Sequence, residues 1–177
     1  MFILKKVYCR IFQKVFRIAL PLLPYREPEI LESIELIPEV VVKNGCKKPI
    51  IVTDKGIVNL GLIDSLVEAL KKSEIPFAIY DETVPNPTTD NVAKAYDLYK
   101  KENCDCLIAF GGGSSMDCAK ALGVQIVYPK KTLGQLKGIL KVHKKLPLLI
   151  AIPTTAGTGS ETTLAAIITD SKTRHKY

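Results

Sequence analysis

The stretch "CLIAFGGGSSMDCAKALG", residues 106–123, decides the architecture. An apolar run leads into three consecutive glycines and two serines, and after Asp117 small and apolar residues alternate. That pattern reads as a buried strand turning directly into a helix. Glycines at the junction let the backbone approach a ligand that a Cβ would push away. The first turn of the following helix offers unpaired N–H groups and a partial positive charge, which suit a phosphate. Ser114 is placed to cap this helix, and Asp117, three residues on, to complete a capping-box-like pair.

The same alternation extends in both directions. "KPIIVTD" (48–54), "PFAIYD" (76–81), "CLIAF" (106–110) and "LPLLIAIP" (146–153) read as short buried strands. Between them, "GLIDSLVEALKKS" (61–73) and "TTDNVAKAYDLYKKEN" (88–103) repeat apolar residues at helical spacing, the second with Thr88 or Thr89 as its cap. Residues 114–127 supply the helix after the glycines, and 29–43 has helical spacing interrupted by Pro38. Strands alternating with helices, each strand continuously apolar, specify an α/β fold. Its expected form is a Rossmann-like parallel sheet covered by helices on both faces.

A second bare stretch, "PTTAGTGSETT" (153–163), repeats the device at the end of the fourth strand and adds hydroxyls at Thr154, Thr155, Thr158 and Ser160. In open parallel sheets ligands sit beyond the carboxyl ends of the strands. Two glycine-rich strand ends in one sheet therefore describe a site for an extended ligand carrying phosphates. Neither G-x-G-x-x-G after the first strand nor G-x-x-x-x-G-K-[ST] is present, so the usual dinucleotide fingerprint is absent and the pattern argues against a phosphate-loop nucleotidase.

The 177 residues suit one domain with an appendage. An apolar content of 47% is far from the disordered regime. The net charge of +7 is concentrated: no acidic residue lies between Asp117 and Glu161, where Lys130, Lys131, Lys137, Lys141, Lys144 and Lys145 crowd together. A solvated basic face is the plain reading and attraction for an anionic ligand the sharper one; no nucleic-acid partner is expected. Five cysteines without framework spacing imply free thiols and a reducing, cytoplasmic compartment.

Residues 1–27 form a separate leader ahead of an α/β domain at 28–177, the two punctuated by the prolines of "LPLLPYREPE" (20–29). Lys6, Arg10, Lys14 and Arg17 recur at helical spacing in the leader, so it reads as an amphipathic helix with a cationic face. Its interrupted apolar run fits neither a signal peptide nor a membrane span. Packing on its own domain or on an oligomer partner is expected, with a membrane surface as the alternative.

"VPNPT" (84–88), "GGGSSMDCAKALG" and "PTTAGTGSETT", in this order, resemble the nucleotide-binding half of the iron-containing (group III) alcohol dehydrogenases over about residues 45–177. The resemblance implies NAD(P) as cofactor and a small alcohol or aldehyde as substrate. It implies that Gly112, Gly113 and Ser114 meet the pyrophosphate and that Asp117 lies near the nicotinamide. Asp54 would face the adenosine ribose, where a carboxylate favours NAD over NADP by repelling a 2′-phosphate. Asn86 would lie on the adenosine side, Thr154, Thr155, Thr158 and Thr163 along the cofactor, and Lys176 at the ribose on the nicotinamide side. The family's metal, Fe2+ or Zn2+, is held by one aspartate and three histidines of a C-terminal helical domain. The residues up to Tyr177 include only His143 and His175, so this chain is expected to supply the cofactor half and to be catalytically silent alone. A related metal-dependent polyol dehydrogenase or cyclase, and a non-catalytic NAD-binding or interaction module, are the alternative readings. A homo-oligomer is left open.

Overall fold

The computed structural model describes residues 2–19, 28–138 and 141–177. The chain divides into two compact units, Met1–Ile30 and Leu31–Tyr177. The first contains helix α1, Phe2–Ala19, on which Val7, Tyr8, Ile11 and Val15 are all exposed. No helix among the described residues is long and apolar enough to cross a membrane.

The second unit is built on four parallel strands: β1 (Pro49–Val52), β2 (Ala78–Tyr80), β3 (Cys106–Gly111) and β4 (Leu149–Pro153). Their order across the sheet is β2-β1-β3-β4. The chain moves outward from β1 to β2, then returns past β1 to β3, so the winding direction reverses between β1 and β3. That reversal opens a crevice at the carboxyl ends of these two strands, where their connections leave in opposite directions. Val52 pairs with Ala109, and two residues further along β3 Gly111 pairs with Pro153 of β4. Asp54, Gly111 and Thr154 are thereby set at one end of the sheet.

Alternation along the strands sends side chains to two cores. Ile50 and Val52, with Leu107 and Ala109, pack under α5 (Thr89–Lys101) and α6 (Gly113–Val127) through Val92, Ala95, Met116, Ala119 and Leu122. Ile51, with Cys106, Ile108 and Phe110, packs under α2 (Ile37–Lys43) and α4 (Asp64–Lys72) through Ile37, Val41, Leu66 and Leu70. Every residue of β1 and β3 is buried, which is why these strands read as unbroken apolar runs.

Several boundaries differ from expectation for local reasons. Pro38 does not break a helix, because it occupies the first turn of α2, where its missing N–H costs nothing. The residues ahead of it form a single 3-10 turn, Ile34–Leu36. A short helix α3, Lys55–Asn59, follows β1 directly, capped by Asp54. The helix expected from residue 61 starts at Asp64, since Gly61 takes a positive φ of 68°. Thr88 caps α5 through a full capping box with Asn91. The five cysteines are free, and Cys104, Cys106 and Cys118 are buried.

Candidate functional site

The first wall of the site is the turn from β3 into α6. Gly111 has φ +142°, a conformation that L side chains rarely adopt. A Cβ there would stand 2.6 Å from the Ser115 hydroxyl, so glycine is compelled twice over. Gly112 is the N-cap of α6, in extended conformation and with no side chain capping it. The expected cap, Ser114, is therefore corrected: the helix starts one residue earlier, so Ser114 lies inside its first turn and its hydroxyl instead accepts the Asn86 N–H at 3.3 Å. Asp117 forms no capping box either, and accepts the Ile167 N–H at 3.1 Å. The first-turn amides of α6 consequently have no side-chain cap and lie at the crevice.

The second wall is the loop after β4. Thr154 N–H donates to the Gly111 carbonyl at 3.0 Å, which brings the two glycine-rich segments together. A Cβ at Gly112 would lie 3.3 Å from Thr155 Oγ1, and one at Gly113 would lie 3.1 Å from Ser160 Oγ and 3.5 Å from Thr158 Cβ. Bareness at 112 and 113 thus lets the threonine-rich loop close onto the start of α6. Thr154, Thr155 and Thr158 are exposed.

Asp54 forms the floor. Its Oδ1 accepts the Ile57 N–H at 3.1 Å and caps α3, while its Oδ2 stands 3.6 Å from the Cβ position of Gly111. One oxygen is committed to the fold and the other faces the glycine turn.

The C-terminal segment completes the group. Ile168 and Tyr177 exchange backbone hydrogen bonds at 2.8 and 2.9 Å, and Thr169 is joined to Pro87 and Thr89 at 2.9 and 3.0 Å. This hairpin carries Lys176 to Asn86, whose Oδ1 accepts from Nζ at 2.6 Å. Asn86 itself has φ +56°, a left-handed position that asparagine tolerates. Contact between Asn86 and Lys176, with Ser114 on the Asn86 backbone, puts all three in one place.

Lys120 and Glu161 escaped the sequence reading. Lys120 is one helical turn after Asp117, and its ammonium donates to Thr163 Oγ1 at 3.0 Å and to the Ala165 carbonyl at 2.9 Å. Burial lowers its pKa, opposed by the carboxylates of Asp117 and Glu161. The Asp117 carboxyl is raised by burial, opposed by the Ile167 N–H and by Lys120. Glu161 Oε2 is buried without a hydrogen-bond partner among the described residues. The i, i+3 spacing of Asp117 and Lys120 on one helix was the available signal. Thr163 is thus a ligand of Lys120 in this structure.

His143 and His175 are both exposed. Among the described residues the one group of three candidate metal donors, Cys46, Asp105 and Cys106, lies at the other end of the sheet, where β1 and β3 begin.

Residues 31–177 match the family model described as iron-containing alcohol dehydrogenase. Among curated proteins, the chain is 43% identical over 141 residues to choline dehydrogenase of Bacillus subtilis, covering 78% of this chain and 35% of that protein. It is 44% identical over 132 residues to alcohol dehydrogenase 4 of Schizosaccharomyces pombe, covering 75% and 31%. Among solved structures, a 1,3-propanediol oxidoreductase aligns with a TM-score of 0.80 at 33% identity, over 86% of this chain and 41% of the other. A sulfoacetaldehyde reductase from Bifidobacterium kashiwanohense, solved with NAD+, aligns with a TM-score of 0.74 at 29% identity, over 86% and 41%. The chain spans about a third of the length of the curated relatives it matches. A glycine turn beside the reversal of a parallel sheet, joined to the threonine loop of the neighbouring strand, together with a match over residues 31–177, places this chain in the iron-containing alcohol dehydrogenase family.

Proposed function

We propose that residues 28–177 bind NAD as the cofactor half of an alcohol dehydrogenase that interconverts a small alcohol and its aldehyde. The observation that carries this reading is the meeting of the two glycine-rich strand ends, through the Thr154–Gly111 hydrogen bond, beside the uncapped start of α6. A diphosphate placed there meets the N–H groups around Gly112, Gly113 and Ser114 and the positive end of a 15-residue helix. Thr154, Thr155 and Thr158 offer hydroxyls along its other side. Asp54 Oδ2 is placed to accept from ribose hydroxyls and to repel a 2′-phosphate. Asn86 and Lys176 act together at a single ribose, and Asp117, held by Ile167, borders the nicotinamide. Lys120 positions Thr163 and the 163–165 backbone.

When bound, the nicotinamide supplies the hydride acceptor or donor, and this chain orients it. The residues present do not fit the family's metal. The whole chain has two histidines, both exposed, and the one three-donor group among the described residues lies at the opposite end of the sheet from the glycine turn. No step is therefore routed through a metal. In this reading residues 28–177 hold and orient the cofactor, and turnover takes a further group that stabilises the charge on the alcohol oxygen. Free cysteines throughout support a reducing, cytoplasmic setting.

Calorimetric titration of the purified chain with NAD+ and NADP+ tests the reading. NAD+ should bind and NADP+ should bind more weakly; the Asp54→Gly variant should narrow the difference. NADH production from small alcohols should stay at background with and without added ferrous or zinc ions. Metal-stimulated turnover would place a functional ligand set inside these 177 residues.

A further inference from the structure

We infer that Cys46, Asp105 and Cys106 form a binding site for a single thiophilic divalent cation of the zinc and cadmium class, at the amino ends of β1 and β3. Their ligand atoms, two Sγ and a carboxylate oxygen, all lie within 4.8 Å of one another. On a tetrahedral zinc ion, with bonds of about 2.3 Å to sulfur and about 2.0 Å to oxygen, such atoms stand roughly 3.5–3.8 Å apart. Closing the site therefore takes side-chain adjustments of about 1 Å, within the reach of a χ rotation.

The backbone holds the three residues together before any ion arrives. Asp105 accepts the N–H groups of Lys47 and Lys48 at 2.7 and 3.0 Å, and its own N–H donates to the Lys48 carbonyl at 3.0 Å. Pairing of Pro49 with Cys106 fixes the register of the two strands from this point. Cys46 is held by donation of its N–H to the Val41 carbonyl at 3.0 Å. Each carboxylate oxygen keeps a lone pair free beyond the backbone bond it accepts. Two thiolates and one carboxylate are a soft donor set, which selects zinc-like over magnesium-like ions. Cys106 is fully buried while Cys46 is half-buried, which gives the ion a way in and leaves a fourth position for water. The inference is independent of the cofactor reading, which uses the opposite end of the strands.

The chain, reduced with a phosphine and freed of metal in mildly alkaline buffer, is titrated with Cd2+ and separately with Co2+. One equivalent should bind, with a thiolate-to-metal charge-transfer band, and Zn2+ should displace Co2+. Cys46→Ser should remove the band, whereas Cys9→Ser and Cys104→Ala should keep it. Alkylation of the unmodified chain gives a readout that needs no variant: saturating Cd2+ should slow modification of Cys46 about tenfold or more and leave Cys9 unaffected. Absence of a band, a band that survives Cys46→Ser, or equal alkylation of Cys46 with and without Cd2+ would each overturn the site.

Discussion

The two glycine-rich turns look alike in sequence and are unlike in structure. In the first, Gly111 is buried at φ +142°, and a Cβ there would collide with the almost fully buried Ser115. In the second, Gly157 and Gly159 also take positive φ, at 94° and 60°, but a Cβ on either meets nothing within 4 Å. One turn is fixed by both its backbone conformation and the Ser115 side chain; the other needs glycine only for backbone conformation. A ligand held between them meets one preset wall and one adaptable wall. Preset amides contribute to binding without an ordering cost.

Substitution with alanine should expose this difference most strongly. Gly111→Ala should cost about 3 kcal/mol or more, from the forbidden backbone region together with the overlap on Ser115. Gly157→Ala should cost about 1 kcal/mol, from conformation alone. Chemical denaturation of both variants checks the ranking, and equal losses would erase the distinction between the walls. Removing the Asp54 side chain should have the next largest effect. It takes the cap from α3, and Asp54→Ala should lose about 1 kcal/mol in the same assay.

The smallest effect concerns Asp117. Burial raises its pKa, so the folded chain binds this proton more tightly than the unfolded chain does. Stability contributed by the group is therefore present at acid pH and lost as pH rises from the ordinary carboxylate range through the raised folded value. Asp117→Asn keeps an acceptor for the Ile167 N–H and avoids the half-buried charge. Its melting temperature should exceed the parent's at neutral pH by an amount worth a fraction of a kcal/mol after solvent screening, and the gain should vanish in acid. A gain that grows as pH falls would reverse the assigned cause.

Much of this molecule was legible in its sequence because burial on both faces writes itself as continuous apolar strands. β1 and β3 are the clearest cases, and the helix after the glycines followed from them. Helix α3 was not legible: "KGIVN" is five residues with a glycine inside, too short for a helical period. The cap of α6 was misplaced because Ser114 is the better capping residue, whereas the turn at Gly111 makes Gly112 the last extended position. Asn86 and Lys176 are separated by 90 positions, and only the Ile168–Tyr177 hairpin brings them into contact. Residue types announced the glycine walls, but the company each side chain keeps came from long-range pairing.

The proposed function requires the two glycine-rich strand ends to form one cradle for the diphosphate of NAD. Gly113→Val tests it most directly, since the added side chain would enter the 3.1–3.5 Å space between the start of α6 and Ser160 and Thr158. Calorimetric titration with NAD+ should show binding to the unmodified chain and none to the variant, while the circular dichroism of the two stays nearly the same. Equal affinity for NAD+ in the two proteins would contradict the cradle.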